Sequence, residues 1–381
     1  MPVSLLSYGF RPFFLLAAGW AALALGLFLA ALEGALALPS AMDPVTWHKH
    51  EMLFGFVVSA MAGFLLTAVP NWTGRLPLKG RPLGALALLW LAGRAAVFGS
   101  AWWDALPAAI VDAAFLWVLA GVIAREVIRG NNRHNLVVCA LIALLATANT
   151  WFHASYIATG DTLAATRLTI AGLALLVALI GGRITPSFTR NWLVKQGATR
   201  LPVPMGTGDR VALVALALAL AAWVIPSVPP VVAGGLLVAA GCVHAWRQVR
   251  WRPLATWREP LLLVLHLGYA WLPAGLVLLG LERLGLAGGI SALHALTAGL
   301  FATMIVAVMT RASLGHSGRD LHAGPATVAI YALVISGALL RVALPAFGTG
   351  ALAWLVPGAL WGGGMLVFVL AYGPMLARRR A

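Results

Sequence analysis

Neutral imidazole is the commonest protein ligand for transition metals and a usual axial ligand of haem iron, and five histidines, each within or at the mouth of an apolar stretch, are the candidates for such chemistry. His48 and His50 stand in Trp47-His48-Lys49-His50-Glu51-Met52, His153 follows Trp151-Phe152, His294 opens a late apolar run, and His266 has Tyr269 three residues on, hence on the same helical face. Two residues apart on a regular helix means about 200° of divergence, so His48 and His50 face one ion together only where the backbone before the helix is extended or capped. Two further ionisable residues, Arg94 and Asp112, fall inside apolar runs, where charges are costly unless paired or functional, and they are expected to form an ion pair.

The elements that must position these residues are membrane helices. Of 381 residues, 61% are hydrophobic and only 10% charged, against about a quarter charged in an ordinary soluble domain. Crossing hydrocarbon takes about 20 mostly apolar residues in a helix, which satisfies its own backbone. Twelve stretches qualify: Phe13 to Leu32, Met52 to Val69, Leu83 to Phe98, Ala105 to Ala124, Asn135 to Ile157 and Thr162 to Gly182, then Val211 to Ile225, Val231 to Trp246, Pro260 to Leu279, Ile290 to Met309, Ala326 to Leu344 and Leu352 to Ala371. The predicted fold class is therefore all-α, a single integral membrane domain over residues 1–381, with a central loop at 183–210 between two six-helix halves.

The net charge of +15 excludes little by itself, because the cations sit in short loops and form no basic face for nucleic acid. Placing both termini in the cytoplasm gathers nearly every Lys and Arg on that side, Arg11 among them, and leaves only Lys49 and Arg283 outside, as the positive-inside tendency requires. The two cysteines, Cys139 and Cys242, lie in separate apolar runs and offer neither a disulfide framework nor a zinc pattern.

This topology gives each histidine a depth. His48, His50, His153 and His294, from three helices, share a layer near the outer face, and His266 lies deeper. Any one of them reads equally well as an interfacial histidine beside tryptophan, but four at one depth point to metal or haem ligation. On the cytoplasmic side, Arg183 to Thr189 and the run Thr310 to Arg319, with Arg311, His316 and Arg319, are dense in cations and hydroxyls; they suit either an anion such as a haem propionate or plain positive-inside anchoring.

The chain resembles the NnrS family of bacterial membrane proteins linked to nitric oxide and denitrification. The resemblance rests on Gly9-Phe10-Arg11-Pro12-Phe13-Phe14, on Trp47 to Phe56, on Gly63 to Gly74, and on Arg183 to Thr189. It extends to His266-Leu267-Gly268-Tyr269, His294-Ala295-Leu296-Thr297 and Leu314-Gly315-His316-Ser317-Gly318-Arg319. The resemblance implies an inner-membrane protein with haem and copper that protects cells against nitric oxide and nitrosative stress. The family is also similar in outline to haem–copper oxidases, where histidines on helices two and ten form an axial pair. By that analogy His48 or His50 with His294 are the expected haem ligands, and copper is left to His48, His50, His153 or His266. The paired helix-seven histidines of the oxidase copper site are missing, which argues against oxygen reduction.

The expected function is thus nitric oxide binding at a haem, with copper nearby, an unidentified electron donor if there is turnover, and Glu51, His266 and Tyr269 as proton-route candidates. Nitric oxide is apolar and reaches such a site through the lipid bilayer. The competing reading is a metal-free twelve-helix secondary transporter, against which stand the absence of an internal repeat and the outer position of the histidines.

Overall fold

The computed structural model describes residues 4–378, and all regular structure among them is helical. Twelve helices are long and apolar enough to cross a membrane. They are α1 (Phe10–Leu32), α2 (Pro44–Thr73), α3 (Arg81–Phe98), α4 (Ala105–Arg129), α5 (Arg133–Thr159) and α6 (Leu163–Lys195), followed by α7 (Thr207–Val224), α8 (Pro230–Val249), α9 (Pro260–Arg283), α10 (Gly289–His316), α11 (Pro325–Phe347) and α12 (Leu352–Ala377). Each corresponds to one of the twelve apolar stretches of the sequence, because hydropathy alone defines a segment that must satisfy its backbone in lipid.

Two compact units make up the chain. The first comprises Met1–Thr169, Met309–Asp320 and Gly362–Ala381; the second comprises Ile170–Val308 and Leu321–Trp361. The expected loop at 183–210 is mostly not a loop: α6 runs unbroken through Pro186 to Lys195, leaving residues 196–206 as the connection. The polar run is helical because its hydroxyls turn inward, with Thr185 and Thr189 fully buried and the Thr189 hydroxyl donating to the Thr185 carbonyl at 2.9 Å. Arg11, expected in a cytoplasmic segment, lies in the first turn of α1 and is buried, donating to the carbonyls of Leu376 (2.9 Å) and Arg378 (2.6 Å) that the end of α12 leaves open.

The most enclosed helix is α2, and it is not uniform. Asp43 caps its start, accepting from the N–H groups of Val45 and Thr46 at 3.0 Å each, with Pro44 preset at the first position. The α-helix then passes at His50 into a π-helical stretch, Glu51–Val57, and resumes at Val58. The same sequence of events occurs in α10, where His294 ends an α-helical piece and Ala295–Phe301 is π-helical. π segments inside α-helices are rare and concentrate at functional sites.

Candidate metal centre

Within the first unit, α2, α3, α4 and α5 bring a set of polar side chains to one buried point. The wide π turn after His50 leaves both His50 and Glu51 completely buried. The Glu51 carboxylate spreads over three donors: His50 Nδ1 lies 2.9 Å from Oε1, while Oε2 accepts from Trp20 Nε1 at 2.6 Å and from Arg94 Nη1 at 2.7 Å. These approaches depend on Gly55, where a β-carbon would fall 2.7 Å from Trp20 Nε1 and 3.0 Å from Arg94 Nη1.

The second guanidinium nitrogen of Arg94 pairs with Asp112 Oδ1, so the expected Arg94–Asp112 ion pair is present and Glu51 is its third member. The other Asp112 oxygen, Oδ2, faces Asn149 Nδ2 at 2.9 Å, His153 Nε2 at 2.9 Å and His50 Nε2 at 3.1 Å. The two ring nitrogens, His50 Nε2 and His153 Nε2, are themselves 3.1 Å apart. His50, Asp112 and His153 are all buried, with one possible ligand atom each inside a common small sphere.

Hydrogen-bond logic shows what this triangle requires. A carboxylate only accepts, so Glu51 holds a proton on His50 Nδ1 and leaves Nε2 with its lone pair. That lone pair points at an anionic oxygen and at a second imidazole nitrogen, and either a proton on His153 Nε2, donated to Asp112 Oδ2, or a metal cation can sit among the three atoms. Glu51 and Asp112 carry two negative charges against the single positive charge of Arg94. A metal cation would supply the balancing positive charge, as would one additional proton on the cluster. Ligand bonds of about 2.0–2.1 Å meeting at right angles or slightly more place donor atoms roughly 2.9–3.3 Å apart, and the three observed separations lie within that span. The Glu51–His50 contact supplies the outer carboxylate that commonly orients a metal-binding imidazole.

A family model described as NnrS protein matches residues 4–380. The chain belongs to the NnrS family. No curated protein matches it in a sequence search. In this NnrS-family chain the stretch Trp47 to Phe56 supplies His50 and Glu51 to the centre, Gly55 to its clearance, and the ring of Phe54, 5.2 Å from that of His50, to its apolar wall. Phe152 extends that wall, its ring 5.3 Å from that of His50 and 5.7 Å from that of Phe54.

The remaining histidines are placed differently. His48 faces away from His50, as helical geometry requires, and stacks on Phe28 with ring centroids 4.0 Å apart. His294 belongs to the second unit; its Nδ1 donates to the Ile290 carbonyl at 2.9 Å, which puts the proton on Nδ1 and the lone pair on Nε2. His266, also in the second unit, meets the Thr189 hydroxyl at 2.9 Å, while Tyr269, expected on its face, bonds instead to His244 and Arg247. Arg183 lies within α6 and Arg311 within α10; His316 ends α10 with its ring 5.5 Å from that of Phe10, and Arg319 is exposed in the turn that follows.

Two imidazoles and a carboxylate without sulfur suit copper(II), iron(II) or zinc, so the donor set fits copper among others. Haem is a different matter for His50, both of whose ring nitrogens are already engaged; of the proposed axial ligands, His294 has the tautomer that haem ligation needs. Asn149 and Trp20 were not singled out by sequence. Asn149 sits four residues before His153, one helical turn away on the same face of α5, and that spacing was the available signal.

Proposed function

We propose that this NnrS-family protein is a multi-pass inner-membrane protein of bacteria, with both termini in the cytoplasm, that binds a transition-metal ion at His50, Asp112 and His153 and acts in protection against nitric oxide. The observation that carries the reading is the convergence of three buried ligand atoms from α2, α4 and α5, with an unmatched negative charge among them. Copper is the ion that the family resemblance favours, and haem ligation would fall to His294 in the second unit.

When bound, the ion supplies a coordination position open to a small diatomic ligand. The protein's own residues do the rest. Glu51 fixes the His50 tautomer, Arg94 neutralises one of the two carboxylates, and Asn149 holds Asp112 Oδ2 toward the imidazoles. Phe54 and Phe152 give the polar cluster one apolar wall, which suits a ligand that arrives through hydrocarbon and needs no polar channel.

The test is elemental analysis of the protein purified in mild detergent, followed by optical and electron paramagnetic resonance spectra with and without nitric oxide. Near-stoichiometric copper or iron, lost in His153→Ala and changed spectroscopically by nitric oxide, is the expected result. Protein expressed with ample copper, iron and haem that contains no metal refutes the reading and leaves the cluster held together by protons alone.

A further inference from the structure

A second buried network, in the second unit, plays no part in that function. Tyr269 of α9 is fully buried, and its hydroxyl lies 2.9 Å from His244 Nδ1 and 2.7 Å from Arg247 Nη1. His244 Nε2 lies 3.0 Å from the Ala212 carbonyl, and Arg247 Nε donates to Asp209 Oδ1 at 2.8 Å.

Every proton in this network is assigned by its partners. A carbonyl cannot donate, so His244 carries its proton on Nε2 and presents a bare Nδ1. A guanidinium cannot accept, so Arg247 donates to the phenolic oxygen. The Tyr269 hydroxyl proton therefore points at His244 Nδ1. Asp209 and Ala212 both belong to α7, Arg247 also donates to the Ala178 carbonyl at 3.0 Å, and because an amide carbonyl does not pass a proton on, the path from Tyr269 ends at His244 among the described residues. It does not form a through-going proton wire. A proton leaving Tyr269 reaches His244 and stops.

We propose that Tyr269 is a redox-active tyrosine with His244 as its proton acceptor. Facing a one-electron metal-complex oxidant, such as a ruthenium(III) diimine whose potential exceeds that of phenol, Tyr269 gives up one electron, the O–H bond breaks, and the proton forms an N–H bond at His244 Nδ1. The products are a neutral phenoxyl radical, an imidazolium and the oxidant reduced by one electron. Returning the electron draws the proton back along the same 2.9 Å hydrogen bond.

The surroundings favour this outcome. Asp209 pairs with Arg247 at 2.8 Å and with Arg250 at 3.7 Å, and its negative charge tempers the positive charge that oxidation adds at His244. The phenoxyl oxygen afterwards receives two hydrogen bonds, from Arg247 and from the newly protonated His244. Trp251 packs edge-on to Tyr269 at 4.5 Å between centroids, just beyond the end of α8, and offers an electron relay toward the helix ends. With the Arg247 guanidinium 5.1 Å above its ring, Trp251 is a poor resting place for a positive hole, and Tyr269 can shed that charge as a proton. Gly182 lets Arg247 approach, because a β-carbon there would collide with the guanidinium.

The experiment is flash oxidation of the full-length protein in detergent by photogenerated tris(bipyridine)ruthenium(III), with persulfate as the electron sink, read by high-field electron paramagnetic resonance. Among five tyrosines and sixteen tryptophans the hole should settle on Tyr269. The expected signal is a tyrosyl radical with the lowered g anisotropy of a hydrogen-bonded phenoxyl and an exchangeable proton coupling. It should disappear in Tyr269→Phe, persist in Tyr331→Phe and Tyr372→Phe, and fall at least about tenfold in yield in His244→Phe. Should His244→Phe fail to fold, the g anisotropy and proton coupling of the unsubstituted protein still decide. A signal undiminished in Tyr269→Phe, a radical without a hydrogen bond, or tryptophan radicals alone would overturn the proposal.

Discussion

Replacing Glu51 by Gln probes the charge argument at its centre. Glu51 touches no ion in the proposed site; it holds His50 Nδ1–H and accepts from Trp20 and Arg94. Glutamine keeps the shape but removes the charge that sets the His50 tautomer and the negative charge left over once Arg94 is counted. Loss of such an outer-shell partner typically lowers metal affinity about 10- to 100-fold, or roughly 1.4–2.8 kcal/mol. A second effect follows from hydrogen bonding. All three neighbours donate, and the glutamine amide nitrogen cannot accept, so one buried donor is left without an acceptor at about 1–3 kcal/mol of folding stability. The assay is competition for copper(II) with a chromophoric chelator in detergent, beside thermal unfolding of the ion-free protein. Affinity within about twofold of the unsubstituted protein, with the expected loss of stability, would refute the metal-site reasoning while sparing the fold.

Three further outcomes follow. His153→Ala should abolish stoichiometric metal binding, whereas His48→Ala, which removes a ring stacked on Phe28, should retain it; elemental analysis of the pair separates ligand from bystander. Gly55→Ala should destabilise the protein by about 1–3 kcal/mol in thermal unfolding, through overpacking against Trp20 and Arg94, and weaken metal binding with it. Asp43→Ala should cost about 1 kcal/mol through loss of the α2 cap. Burial opposes the Asp43 charge, but hydrogen bonds from Thr46 and Val45 and the nearby Lys49 prevail and hold its carboxyl below the usual range. The stability it contributes is thus fully present above the unfolded value of about 4 and is lost as pH falls through the lower folded value. The gap between Asp43→Ala and the unsubstituted protein should close only in that acid window.

The twelve spans were legible because apolar length needs no knowledge of partners. Arg94 and Asp112 were legible as a pair for a related reason: charges inside spans must find each other. Depth alone brought His50 and His153 together, but it could not separate them from His48 and His294, because depth fixes a layer and not a direction within it. The role of Glu51 was hidden by the assumption of regular helix periodicity, which the π turn breaks. Arg247 was placed in a cytoplasmic segment by the loop-charge pattern, yet it is buried, paired with an equally buried Asp209 that the sequence did not single out. A guanidinium at a helix end can snorkel or turn inward, and only the packing of the neighbouring helices decides which. The Arg183 to Lys195 run misled for the converse reason, its threonines being polar in composition but inward in placement.

The π stretch of α2 also changes what an insertion or deletion does there. Its i→i+5 bonding accommodates a residue that a regular helix would place elsewhere. Removing any one residue of Glu51–Val57 would let α2 become regular while keeping both flanks helical, and the protein would still insert. A π stretch holds one residue more than the α-helical turns it replaces, so the segments on either side would keep nearly their present relative orientation. His50, at the near edge of the stretch, would stay on the face shared with Arg94, Asp112 and His153, and the change would fall on the side chains within the stretch itself. A one-residue length change there is thus absorbed locally: hydropathy stays the same, twelve spans remain, and what shifts is which residues between Glu51 and Val57 face the neighbouring helices.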